Sequence, residues 1–66
     1  MRWIKTERNE ILNLSLVVKI VVHKRDTKWV VAAETKSMYC IIKGILEEIS
    51  EQQAIDYLNK LYEGIV

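Results

Sequence analysis

Residues 16–42 constrain the fold more than any other part of the chain. They hold the runs Leu16-Val17-Val18-Lys19-Ile20-Val21-Val22, Trp29-Val30-Val31-Ala32-Ala33 and Met38-Tyr39-Cys40-Ile41-Ile42. Valine and isoleucine branch at Cβ, which crowds a helix and suits a pleated, half-buried strand. Polar stretches at Arg25-Asp26-Thr27-Lys28 and Thr35-Lys36-Ser37 separate the runs, so three antiparallel strands are predicted, at about 16–24, 29–34 and 38–43. Alternation places Leu16, Val18, Ile20 and Val22 on one face and Val17, Lys19, Val21 and His23 on the other. The first set is apolar throughout and is assigned to the core. The first connection lacks glycine, which predicts about four loop residues rather than a tight primed turn.

The flanks complete the outline. Trp3-Ile4-Lys5-Thr6 alternates apolar with polar residues and predicts a strand at about 2–6. Ile11-Leu12-Asn13 pairs back at about 10–13, across a turn where Asn9 is the residue best suited to positive φ. Asn13-Leu14-Ser15 then interrupts the pattern, because Asn and Ser side chains compete for backbone hydrogen bonds. Near the C-terminus, Ser50 followed three residues later by Gln53 is a capping box. Beyond it Ala54, Leu58, Leu61 and Ile65, with Ile55 and Tyr62 beside them, form one helical stripe, and Gly64 is the expected stop. The expectation is a single α+β domain over residues 1–66. Its antiparallel sheet has four to five strands, and one C-terminal helix at about 51–63 packs on one face.

Several segments carry a resemblance: Trp3-Ile4-Lys5-Thr6, Glu10-Ile11-Leu12-Asn13-Leu14, Lys28-Trp29 and Ala54-Ile55-Asp56-Tyr57-Leu58. Together they resemble a set of small uncharacterised bacterial proteins over nearly the whole chain. The resemblance implies a β-rich N-terminal part followed by one helix, and it brings no activity with it. Met38-Tyr39-Cys40 departs from it, since a more polar start to the last strand is expected there.

The 66 residues include one cysteine, Cys40, and one histidine, His23. That excludes an internal disulfide and a Cys/His zinc site. A domain this small buries a limited core, and oligomerisation is a common way to bury more. The uncharged apolar runs are far shorter than the roughly 20 residues of a membrane span. The N-terminus lacks the apolar segment of a signal peptide, so a cytoplasmic location is expected. Charge is unevenly divided. Through Lys43 there are nine basic residues against four acidic ones, and from Gly44 onward Lys60 faces five acids. A basic sheet half thus joins an acidic helix half.

Catalytic signals are nearly absent. His23 falls at a strand end, Cys40 lies within an apolar strand, and Glu47, Glu48 and Glu51 suit the positive end of a helix dipole. With only Gly44 and Gly64, no glycine-rich phosphate loop can be built. No enzyme activity, cofactor, metal, small-molecule substrate or membrane contact is expected.

One helix covers one face of a sheet, and this sheet is apolar on nearly two. The first expectation is therefore a non-enzymatic interaction module. It self-associates, or binds another protein, through an uncovered face with Val17, Val21, Tyr39 and Ile41 as candidate interface residues. A rival solution folds Trp3 and Ile4 over that face. The alternative function is nucleic-acid binding by the basic hairpin tip at 23–29. There Lys24, Arg25 and Lys28 would hold phosphates and Trp29 would stack on a base.

Overall fold

The computed structural model describes residues 3–65, with side chains through Glu63; Arg2 of the first expected strand and the side chain of Ile65 lie outside the described residues. The protein is α+β. Five strands, β1 (Trp3–Lys5), β2 (Ile11–Asn13), β3 (Lys19–Arg25), β4 (Lys28–Glu34) and β5 (Tyr39–Lys43), precede one helix, α1 (Glu51–Ile65). They form two antiparallel sheets instead of the single one expected: a two-stranded β1–β2 and a three-stranded β3–β4–β5 with β4 in the middle.

A three-residue turn causes the division. The Asn13 side chain accepts the backbone N–H of Ser15 at 3.0 Å, and the chain winds into a 3-10 turn over Leu14–Leu16. Val17 N–H closes the turn on the Leu14 carbonyl at 3.2 Å. Leu16 is thereby removed from the long strand, which begins at Lys19 rather than at residue 16. Leu16 and Val18, expected in the core, are each 66% exposed, because the turn breaks the alternation that would have turned them inward. Val17 instead packs against the core.

The β3–β4 connection also departs from expectation. Arg25 pairs directly with Lys28, leaving a two-residue loop of Asp26 and Thr27. Asp26 takes a φ of 57° and Asn9 one of 62°. The short polar side chains of Asn and Asp tolerate this left-handed region, so aspartate fills the place glycine usually holds in a tight hairpin.

The core lies between the three-stranded sheet and the helix. Ile20 and Val22 of β3 stand opposite Ala33 and Val31 of β4, and α1 lies across both strands. Val31, Ala33, Ile42, Ile49 and Ala54 are buried together. Tyr57, Leu61 and the cross-strand pair Ile4–Leu12 pack around them. A register shift between Val31 and Ala32 leaves Ile42 as an extra residue on β5. Such a bulge lets consecutive side chains serve one face. Ile42 is buried, and Lys43 extends over the Tyr57 ring, 5.5 Å from its centroid.

The helix begins where the capping box places it. Ser50 Oγ accepts the Gln53 N–H at 3.1 Å, and Gln53 Oε1 accepts the Ser50 N–H at 2.9 Å. It continues through Gly64 instead of stopping at 63. Ile55, expected beside the stripe, is 36% exposed. Tyr57 takes the inward position. Among the described residues no helix is long and apolar enough to cross a membrane.

After β5 the chain turns at Gly44, with φ of 112°. A Cβ there would stand 2.3 Å from the Trp29 carbonyl oxygen and 2.9 Å from the Val30 Cα. Both the backbone angle and the close approach demand glycine. Replacement of Gly44 by alanine is expected to destabilise the fold by about 2–3 kcal/mol. Thermal unfolding followed by circular dichroism should show a drop of roughly 10 °C or more.

Candidate functional site

Alternation along β3, β4 and β5 gives the sheet a second face, away from the helix. It carries Val21, Ala32 and Ile41 as direct cross-strand neighbours, with His23 opposite Val30 and Glu34 between Lys19 and Tyr39. Of the four expected interface residues, Val21, Tyr39 and Ile41 are brought together here. Val17 is not, because the 3-10 turn directs it toward the helix-side core.

The centre of this face is closed, although no helix covers it. Val30 is 1% exposed and Ala32 0%. His23 on β3 and Tyr39 on β5 reach each other across the middle strand, sharing a hydrogen bond between Nε2 and the hydroxyl. Their rings are tilted at 53° with centroids 5.9 Å apart. Lys19 and Glu34 form a cross-strand ion pair at 3.3 Å on the same face. Trp3 and Ile4 do not cover it. Ile4 packs against the core and Trp3 is exposed.

The largest apolar exposure lies elsewhere. Trp3, Ile11, Leu16, Val18 and Met38 border one open depression of about 830 Å³, and each is more than half exposed. The 3-10 turn and the Thr35–Met38 turn build it. In the latter, Thr35 Oγ1 accepts the Met38 N–H at 3.0 Å, and Thr35 N–H donates to the Met38 carbonyl at 2.9 Å. Among the described residues, Lys36 is the one charged residue along its lining.

The hairpin tip is divided by its register. Lys24 pairs with Trp29 on the helix side, while Arg25 pairs with Lys28 on the opposite side. Trp29 is half-buried against the core. A two-residue loop forces this split, since successive residues on either strand point to opposite faces. Arg25 and Lys28 instead share a depression of about 390 Å³ with Arg8, Asp26, Thr27 and Ile45. Lys28 Nζ donates to the Ile45 carbonyl at 3.4 Å. The sequence placed Arg8 in a turn, but nothing in it joined that turn to the β3–β4 tip.

Glu7 makes the junction. Its Oε1 accepts the N–H groups of Gly44, Ile45 and Leu46 at 2.8, 2.9 and 3.2 Å, and its Oε2 accepts that of Glu47 at 3.3 Å. Its own N–H donates to the Ile42 carbonyl at 3.0 Å. Successive backbone N–H groups turned to one point form an anion nest, and here a side chain of the same chain occupies it. Burial alone would raise the Glu7 carboxyl, but the four N–H groups outweigh it and hold the group below its ordinary value. Burial pushes the Cys40 thiol up, Glu10 adds to the rise and Arg8 opposes it. A raised thiol is a poor nucleophile at neutral pH. Burial, and then the Glu7 charge, raise the Tyr57 hydroxyl.

Comparison with family models, with curated proteins and with solved structures gives no match.

Because Glu7 is lowered in the folded state, its stabilisation is complete above the ordinary carboxylate range and is lost as pH falls through the lowered value. Glu7→Gln is expected to cost about 2 kcal/mol at pH 7. In urea unfolding that deficit should shrink as the pH is taken well below the ordinary carboxylate range. A deficit that stays constant across the range would exclude the charged nest as its cause.

Proposed function

We propose that the protein is a non-enzymatic interaction module that pairs with a second copy of itself through the groove bordered by Trp3, Ile11, Leu16, Val18 and Met38. The supporting observation is their joint exposure around one depression. Water meets a mainly apolar surface there, interspersed with Asn13, Ser15, Thr35, Lys36 and Ser37, and monomers seldom leave apolar patches large. Side chains of this size, half to two-thirds exposed, present on the order of 100 Å² each. Five of them supply the greater part of the roughly 800 Å² per partner of a standard interface.

Charge favours a copy as the occupant. A two-fold interface sets the same patch against itself, so a patch that carries charge of one sign meets charge of that sign. Among the described residues this groove contributes only Lys36, whereas the hairpin tip would bring arginine and lysine against arginine and lysine. The exposed Trp3 and Met38 are knobs, and the half-buried Leu12 and Val17 line the same depression. One patch thus carries both shapes that self-complementarity needs. Val21, Tyr39 and Ile41 are a less suitable surface, because the Lys19–Glu34 and His23–Tyr39 pairs share their face. The nucleic-acid reading keeps Arg25 and Lys28 but loses Lys24 and the stacking ring of Trp29 to the helix side.

Light scattering coupled to size exclusion, at tens of micromolar protein, is expected to give twice the chain mass. Val18→Glu should return the mass to one chain and leave the thermal transition within a few degrees of the parent, as an exposed substitution does. Val21→Glu, on the opposite sheet face, should leave the dimer in place. A wild-type monomer under these conditions would overturn the proposal.

A further inference from the structure

The depression beside the hairpin tip gathers three cations from two separate turns. Arg8 comes from the β1–β2 turn, and Arg25 and Lys28 come from the ends of β3 and β4. The one ion pair among the described residues is Lys19–Glu34, so none of the three has a carboxylate partner there. Asp26 lines the same hollow, leaving a positive excess. Like charges held in one concavity repel one another, and an anion entering it relieves that repulsion.

We infer that this depression is a binding site for a phosphate group, held by Arg8 and Arg25 from two sides with Lys28 and the Thr27 hydroxyl at the rim. Guanidinium groups bind phosphate through paired parallel N–H donors, and an ammonium adds a point charge. The volume of about 390 Å³ lies near the lower end for small-ligand sites. The backbone nest next to it is not available, because Glu7 already fills it. Its role is to hold residues 44–47 in place, and with them the Ile45 carbonyl that anchors Lys28. The phosphate is therefore met by side chains, and its carrier is either a small phosphorylated molecule or a nucleic-acid strand.

Two probes separate the carriers: inorganic pyrophosphate and a short oligothymidylate, each titrated into ¹⁵N-labelled protein at fixed ionic strength. Saturable amide shifts confined to Arg8, Thr27, Lys28 and Ile45 are expected. Arg8→Ala and Arg25→Ala should each weaken binding about tenfold, which a charge-assisted contact supports. Asp26→Asn keeps the left-handed turn, since asparagine also tolerates it, and should tighten binding several-fold. Lys60→Ala, on the helix, should change nothing. Saturation by pyrophosphate identifies a small carrier. Saturation by the oligonucleotide alone, still dependent on Arg8, identifies a strand. The inference is overturned if neither probe saturates by about 10 mM. It is also overturned if shifts at Lys36 and Lys60 match those at Arg8, or if Arg8→Ala in a chain that melts like the parent leaves affinity unchanged.

Discussion

The Glu7 carboxylate is the contact on which the tertiary arrangement depends. It sits 37 to 40 residues away in sequence from the four N–H groups it receives. The segment that supplies them joins the last strand to the helix and has no regular structure of its own. Backbone N–H groups of a connection need partners if they are not to be left unpaired near the core. One carboxylate serves four of them. It also ties the small sheet to the large one, so Ile4 and Leu12 reach the core and Arg8 arrives beside Arg25 and Lys28. Gly44 makes the approach possible by letting the chain turn hard against Trp29.

The second constraint is the turn at Leu14–Leu16. A continuous strand from residue 16 would have carried Leu16 and Val18 into the core beside Ile20 and Val22. The Asn13 side chain diverts the backbone, and two large aliphatic side chains go to the surface next to Trp3, Ile11 and Met38. The chain thereby gains an apolar groove with almost no charge in it. The uncovered sheet face is treated differently. His23 and Tyr39 meet over the middle strand, and small Ala32 lies between Val21 and Ile41. A face that looks open in the sequence is in part closed by its own side chains.

Much of the local structure was legible because its causes are local. The Ser50–Gln53 box, the positive φ of Asn9, five strands in their order and the single helix all follow from residues within a few positions of one another. Asn13 and Ser15 were legible as an interruption, but not as a turn that separates two sheets. The absence of glycine points to a longer loop, whereas aspartate adopts the left-handed angle and closes the tight Asp26–Thr27 connection. Register then decided the hairpin tip, and one pairing, Arg25 with Lys28, placed four adjacent candidates on two faces.

By itself the sequence determined the order of strands and helix along the chain, the amphipathic helix and the apolar excess that one helix cannot cover. Those properties depend on side-chain type and on periods of two or 3.6 residues. Tertiary structure alone decided which apolar residues stay at the surface and which cations meet. Those outcomes rest on Glu7 and residues 44–47, and on Arg8 with Arg25. Such pairs are distant along the chain and become neighbours only through the close packing of two turns and a loop, which no periodic pattern encodes.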